Sequence, residues 1–342
     1  MKIAVIISNM GGPDSLAAVE PYLVNIFSDP DIIDIPLPAP LRMRFVRWFA
    51  GRRAAESREI YHRLGGKTPL TAITQQQAEL LAARLNATGL ANFAVFPAMR
   101  YWRPLVEDVW QIVRRQGFDK LVVVTLYPFF STTTTGSLIS LVNRLNAQGD
   151  FPPDDLLIVD RFGDHPAFIR AMAGQIRRAL AAAETTGVGY HDLLLSAHSI
   201  PMRRIKRGDP YQREIEAAVA ALRPHLPPDL RLHLAYQSKI GPIRWLSPAT
   251  PDKIDELAAA GVKNLLVYPL GFVADNSETL YEINMLYKEQ AHARGIENFV
   301  CIVALNTDAL FIEALESVVV EKMQACWPAL FQSEAREIVA GL

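Results

Sequence analysis

The stretch of this sequence richest in usable chemistry is Leu195-Ser196-Ala197-His198-Ser199-Ile200-Pro201-Met202. An apolar run, Leu193 to Leu195, reads as a buried strand that stops at an imidazole, a proline and then a basic loop. In open α/β sheets, ligands bind beyond the carboxyl ends of the strands. A histidine at such an end either faces a ligand or packs in a loop. A neutral imidazole near pH 7 takes up a proton or ligates a metal. A second strand end, Pro269 to Ala274, leads into Asp275-Asn276-Ser277-Glu278-Thr279-Leu280-Tyr281-Glu282. Asp275 and Glu278 have capping-box spacing, and capping is the simpler role for Glu278. Glu278 and Glu282 also stand four apart, on one helix face. Two like charges there cost stability unless a cation or a shared proton compensates, so the pair suits protons or a divalent metal. A third strand end, Tyr236-Gln237-Ser238-Lys239, is followed in a Gly-Pro loop by Trp245. That indole is either a packing anchor or, in a cleft, a flat face for a flat ligand.

These groups need a frame. Short apolar runs alternate with longer amphipathic segments, the pattern of βαβ units and parallel sheets. Strands are expected at 2–8, 93–99, 120–127, 155–160, 192–197, 231–237, 263–269 and 299–304. Helices are expected at 74–86, 105–116 and 210–223. In the last, Asp209 caps, Pro210 opens the first turn and Gln212 completes a capping box. The two halves echo each other. Gly117 to Phe129 and Gly261 to Phe272 each read as a helix end, a strand and a Pro-aromatic turn. Two similar Rossmann-like α/β domains facing each other are therefore expected, each a parallel sheet flanked by helices. Their limits fall at 1–160 and 161–306, with a helical extension at 307–342 that packs back on the first domain.

Composition narrows the class. The 342 residues are half apolar, and 35 Lys+Arg against 36 Asp+Glu leave a net charge of -1. That balance speaks against a general nucleic-acid binder. Cys301 and Cys326 are too few for a disulfide framework or a four-thiolate metal site, so the chain reads as intracellular. The apolar start, Met1 to Ile7, ends at Asn9, Gly11, Gly12 and Pro13 and reads as a first strand rather than a signal peptide. No apolar stretch reaches the roughly 20 residues of a membrane span.

The segment 36–65 departs from the βα rhythm. Arg42, Arg44, Arg47, Arg52, Arg53, Arg58 and Arg63 interleave with Leu41, Phe45, Val46, Trp48 and Phe49. This suits a membrane surface or an anionic ligand, or equally a solvated helix whose arginines pair with Glu56 and Glu59.

The pattern S-A-H-S-x-P, a basic stretch and then Gly208-Asp209-Pro210-Tyr211 resembles the signature of the ferrochelatases, which insert ferrous iron into a porphyrin. Asn9-Met10-Gly11-Gly12-Pro13, Arg52-Arg53, Tyr61 through Pro69, Met99-Arg100-Tyr101 and Tyr127-Pro128 through Ser137 fit the same family in order and spacing. The resemblance covers nearly the whole chain. It is nearest to the protoporphyrin-using type, on the N-M-G-G-P, Y-Q-S-K-x-G-P and W-L matches.

The resemblance implies a class II chelatase fold with the active-site cleft between the domains. It implies that His198 is catalytic and Glu278 the acid across from it, with Glu282 joining them in handling iron. Met10, Arg100, Tyr101 and Trp245 would line the pocket. Leu23, Ile26 and Phe27 would form an apolar lip with the 36–50 segment, through which the family touches membranes. Arg53, Thr68, Gln237, Ser238 and Lys239 would hold propionates or the porphyrin edge, and Tyr61, Tyr127 and Phe272 further wall positions. The implied substrates are protoporphyrin IX and ferrous iron, in the terminal step of haem biosynthesis. The implied location is the cytoplasm, peripheral at the inner membrane, with monomer and homodimer both open. A coproporphyrin ferrochelatase, another tetrapyrrole chelatase and a non-catalytic haem carrier stand as alternatives.

Asn276 stands where many relatives have His, and Leu286 where many have a third carboxylate. Thr132 stands where cluster-bearing members place a cysteine, and no cysteine-rich tail follows Trp327. No permanently bound cofactor and no iron–sulfur cluster are expected.

Overall fold

The computed structural model describes residues 1–33, 36–239 and 241–332. The expected extension is therefore described only as far as Gln332. Eight strands form where eight are expected: β1 (Lys2–Asn9), β2 (Asn92–Met99), β3 (Lys120–Thr125), β4 (Leu156–Val159), β5 (Asp192–His198), β6 (Arg231–Gln237), β7 (Asn264–Leu270) and β8 (Asn298–Cys301). All pair in parallel. Parallel sheets covered on both faces bury nearly every side chain, so their strands read as continuous apolar runs. Ile3 to Ile7 and Leu193 to Leu195 are fully buried.

The sheets have strand orders β2-β1-β3-β4 and β6-β5-β7-β8. Shifted by four strands, the second order is the first. The chain thus winds one doubly wound topology twice, as the sequence echo suggests. The helices are α1 (Val19–Ser28), α2 (Ala39–Arg63), α3 (Leu70–Ala87), α4 (Val106–Gln116), α5 (Thr135–Leu145), α6 (Pro166–Glu184), α7 (Met202–Lys206), α8 (Tyr211–Leu222), α9 (Thr250–Ala259), α10 (Lys288–Ala293) and α11 (Ala309–Cys326). A π-helix, Glu278–Tyr287, precedes α10.

One apolar core crosses between the halves. Val5 and Ile7 of the first sheet share it with Leu193 and Leu195 of the second. Helix α11 closes it against α6, α3 and β4. Beyond that helix, the Trp327 indole donates to the Asp154 carbonyl at 2.6 Å, which returns the chain to the first half. Helix α2 is the expected basic segment. Val46, Ala50 and Ala54 form a small buried face toward α1 and leave the arginine-rich face outside. Arg53 pairs with Glu56 at 2.7 Å and Arg63 with Glu59 at 3.2 Å, so part of the solvated-helix reading holds.

Two capping expectations need correction. Asp209 accepts the Tyr211 amide at 3.1 Å, but Gln212 bonds Glu216 one turn on and closes no box. At the π-helix, the reciprocal pair is Asn276 with Thr279, at 3.0 and 3.1 Å, not Asp275 with Glu278.

Candidate active site

In a strand order of this kind the crevice opens where the direction of winding reverses, beyond the carboxyl ends of neighbouring strands. That point lies between β1 and β3 in the first sheet and between β5 and β7 in the second. A single cavity joins both. It is lined by Asn9, Met10 and Gly11 after β1, Leu126 and Tyr127 after β3, His198 at the end of β5, and Gly271 to Ala274 after β7. Tyr22, Tyr61, Thr68 and Glu278 complete the walls. The N-M-G-G-P turn fits because of its glycines. Gly11 takes a φ of +82°, and a Cβ on Gly12 would stand 2.7 Å from Thr68 Cγ2.

His198 is half-buried, with its ring edge-on to Phe272 at 6.4 Å between centroids. Its backbone is fixed by the Tyr211 hydroxyl, which donates to its carbonyl at 2.9 Å. Glu278 needs no part in capping, and among the described residues its carboxylate accepts only the Ser277 hydroxyl, at 2.8 Å. Burial pushes the Tyr22, Tyr61 and Tyr127 hydroxyls up, and the Glu278 charge adds to the effect at each. Those phenols stay protonated. A carboxylate is thus ringed by neutral hydroxyls in a partly desolvated space, and it shares that space with one imidazole.

Glu282 departs from expectation. Its carboxylate accepts from the Ser238 amide at 2.9 Å, the Ser238 hydroxyl at 2.5 Å, the Tyr287 hydroxyl at 2.5 Å and the Gln237 amide at 3.4 Å. A carboxylate offers about four lone-pair sites, and protein donors fill them. Glu282 lies outside the cavity walls and holds Ser238 at a φ of +68°. Among the described residues, no group of three His, Cys, Asp or Glu side chains is placed to hold a metal ion.

Other expected residues divide similarly. Met10, Tyr61, Thr68, Tyr127 and Phe272 line the cavity with His198 and Glu278. Arg100 and Tyr101 do not. Both reach Asp29 Oδ2 at 2.7 Å, and Ser137 donates to the same oxygen at 2.5 Å. Burial pushes the Asp29 carboxyl up, but bonds from Ser137, Tyr101 and the Asp31 amide, with the Arg100 charge, outweigh it and hold it below the usual carboxylate range. Gln237 is fully buried and accepts the Ser196 hydroxyl at 2.7 Å, so it anchors a strand rather than a ligand. Lys239 reaches Asp252 at 3.4 Å, and Arg53 is paired with Glu56. Trp245 bridges to Pro201, beside the loop that follows His198. Leu23, Ile26 and Phe27 are half-buried on α1, and Phe27 packs on Phe49 of α2 at 5.0 Å.

Tyr22 and Asp29 were not singled out by the sequence. Tyr22 sits inside the apolar lip pattern and bonds the Gly11 carbonyl at 2.9 Å. Asp29, in Ser-Asp-Pro-Asp, reads as turn chemistry. Burial pushes the Cys301 thiol up to about 12, which disfavours its thiolate.

Residues 2–323 match the family model described as Ferrochelatase. The chain is 41% identical over 318 residues to a ferrochelatase of Geotalea uraniireducens, covering 93% of this chain and 97% of that one. It is 42% identical to one from a Synechococcus, covering 96% of each, and 40% identical to one from Aquifex aeolicus, covering 93% and 99%. Among solved structures, the sirohydrochlorin chelatase SirB from Bacillus subtilis in complex with cobalt aligns with a TM-score of 0.54 at 11% identity, over 94% of this chain and 95% of that one. SirB with Fe3+ aligns at 0.52 and 12%, over 94% and 96%. At such identities the likeness shows the two-domain chelatase fold.

Proposed function

The chain belongs to the ferrochelatase family, and on that premise we infer that its cavity inserts ferrous iron into protoporphyrin IX. It is a metal chelatase, a lyase of haem biosynthesis. The observation that carries the reading is the meeting of His198 and Glu278 in one cavity also lined by Met10, Tyr22, Tyr61 and Tyr127.

Insertion removes two pyrrole protons and admits one divalent ion. A flat macrocycle directs its lone pairs inward, so a cleft that holds it bent exposes them to the metal. In this reading, Met10, Tyr127 and Phe272 clamp the ring. His198 takes a pyrrole proton. Glu278 takes the second proton and presents oxygen to the ferrous ion. The Tyr61 hydroxyl, 3.4 Å from Ser277 Oγ, keeps that carboxylate's surroundings polar but uncharged. Thr68, in the cavity wall, faces the propionate edge. The apolar lip of Leu23, Ile26 and Phe27 favours the less carboxylated protoporphyrin over coproporphyrin.

No resident cofactor enters this scheme. Thr132, at the position where cluster-bearing relatives have cysteine, gives both its amide and its hydroxyl to Asp209. We place the enzyme at the cytoplasmic face of the inner membrane, touching it through the 36–50 lip. In support, Leu37, Leu41, Phe45 and Trp48 are exposed there, while no helix among the described residues is long and apolar enough to cross a membrane.

An anaerobic assay with ferrous iron, comparing protoporphyrin IX with coproporphyrin III, tests the reading. Faster insertion into protoporphyrin IX is expected. Inactivity on both ends it, and a preference for coproporphyrin III reassigns the substrate.

A further inference from the structure

Helix α3 buries two polar side chains that the chemistry above does not use. Thr74 and Gln77 are fully buried, and they stand three apart on one face of the helix. A buried amide or hydroxyl is costly unless it finds partners. The partners of these two lie on opposite sides of the cleft. The Thr74 hydroxyl donates to the Leu70 carbonyl at 2.8 Å and accepts the Asn9 amide group at 3.5 Å. Asn9 Oδ1 in turn accepts the Met10 amide at 2.8 Å, so this contact ends in the first-half wall. Gln77 turns the other way. Its Nε2 donates to the Val273 carbonyl at 3.0 Å and to the Asn306 carbonyl at 2.8 Å, both in the second half. Its own amide oxygen has no partner among the described residues.

The two carbonyls lead to the acid. Asn306 lies in the loop between β8 and α11, with a φ of +47°. Its amide donates to the Val273 carbonyl at 3.0 Å, the same oxygen that Gln77 holds. Its side chain grips Asp275 twice. Asn306 Oδ1 accepts the Asp275 amide at 2.9 Å, and Asn306 Nδ2 donates to Asp275 Oδ2 at 2.7 Å. Asp275 Oδ1 accepts the Ala304 amide at 3.1 Å and the Thr279 hydroxyl at 2.9 Å. Thr279 is in the first turn of the π-helix, next to Glu278. Every described residue from Gly271 to Glu278 lines the cavity except Asp275, which faces this loop instead.

We propose that Gln77 is a positioning residue: from the first half, through Asn306 and Asp275, it sets where Glu278 stands against the first-half wall. The proposal rests on the reading that Glu278 takes a pyrrole proton, and it adds the residue of the opposite half that places the carboxylate. His198 ends a central strand and has its own anchor in Tyr211, so it does not depend on this relay. Residues three apart on a helix are separated by about 4.5 Å along its axis. One short piece of α3 therefore holds both the turn that carries Met10 and the loop that carries the acid. The spacing across the cleft becomes a property of one helix, where packing alone would let two domains slide. Proton transfer needs hydrogen-bond reach, and a shift of about 1 Å costs on the order of a hundredfold in rate.

The test is a double-mutant cycle of Gln77→Met with Glu278→Gln in the full chain. The readouts are anaerobic single-turnover insertion of ferrous iron into protoporphyrin IX and porphyrin affinity by fluorescence. Met keeps the length of Gln and donates no hydrogen bond. With Glu278 present, Gln77→Met should slow insertion about 10- to 100-fold and change porphyrin affinity less than about threefold. With Glu278→Gln it should slow the remaining insertion less than about twofold, because the displaced group no longer takes a proton. Trp327→Phe is the control. It removes a bond between the halves that ends at no cavity residue. It should lower the melting temperature and leave the insertion rate within about twofold. If Gln77→Met does not fold, Asn306→Gly takes its place and should show the same pattern. It keeps the left-handed turn and the carbonyl that Gln77 holds but drops both side-chain bonds to Asp275. Equal slowing in both Glu278 backgrounds overturns the proposal, as does slowing by Trp327→Phe as large as that by Gln77→Met. Insertion at the wild-type rate by a folded Gln77→Met protein also overturns it. All three leave the role of Glu278 standing. A Glu278→Gln protein that inserts iron at the wild-type rate instead strikes the proton-acceptor reading, and the proposal with it.

Discussion

In the first half the central strand β1 ends in Asn9 and Met10, while its counterpart β5 in the second half ends in His198. Strand β3 leads to Leu126 and Tyr127, and its counterpart β7 leads through Phe272 to Glu278. The strand order is the same, and the crevice opens at the same topological point in each. The side chains delivered there differ in kind. The first half supplies a thioether and phenols that stay uncharged and that the proposed function assigns to holding a flat ring. The second supplies the ionisable pair, with Phe272 as its one share of the wall. On the proposed function, one fold provides a clamp and an acid–base centre, and function resides in the residues after the strands rather than in the strands.

Perturbing each half separately should sharpen that contrast. The largest effect belongs to the second half. Glu278→Gln keeps shape but removes the acceptor, and kcat for iron insertion should fall by about 10²–10⁴, the usual worth of a positioned acid–base group. A fall of less than tenfold in steady-state turnover would merge the two halves' roles. In the first half, Asp29→Asn should act on stability. Breaking a buried ion pair costs roughly 3–5 kcal/mol, and chemical denaturation should show a loss on that scale. The sign of its pH dependence follows from the depressed folded-state pKa of Asp29. Its contribution is full above the ordinary carboxylate range, near pH 4, and is lost as pH falls through the lower folded value. The wild type should therefore lose stability relative to Asp29→Asn on acidification, and parallel acid curves would contradict this.

Smaller effects are expected where a residue only positions another. Glu282→Gln should raise the porphyrin KM about fivefold, because an amide nitrogen cannot accept and Ser238 loses one of the two bonds that hold its left-handed backbone, worth about 1 kcal/mol. The iron KM should not move. A shift in iron saturation instead would return Glu282 to the metal path. Smallest is Tyr61→Phe, which removes a single 3.4 Å contact to Ser277. Turnover should change less than threefold in the same assay, consistent with one weak hydrogen bond.

Much of this architecture was legible from sequence because strands buried on both faces announce themselves as apolar runs. His198 and Glu278 were legible because each follows such a run. The π-helix was not. Its residues carry ordinary helical patterning, and only hydrogen bonding to the fifth residue distinguishes it. The cap there was misplaced by one residue because Asp275-Asn276-Ser277-Glu278-Thr279 offers two overlapping box patterns. The family resemblance assigns Arg100 and Tyr101 to the pocket lining and Gln237 to the propionates or the porphyrin edge. Their partners lie far off in sequence, Asp29 for the first two and Ser196 for the third, and no local pattern reports them. Glu282 was misread for the same reason, since Ser238 lies 44 residues away.

The division between clamp and acid–base centre is tested most directly by His198→Ala, read twice on one sample. Porphyrin fluorescence gives the dissociation constant for protoporphyrin IX, and anaerobic single-turnover absorbance gives the rate of ferrous insertion. The account predicts a dissociation constant within about threefold of the wild type and a rate lower by at least about 10². Porphyrin affinity falling in proportion to the rate would contradict it, because the imidazole would then be part of the clamp.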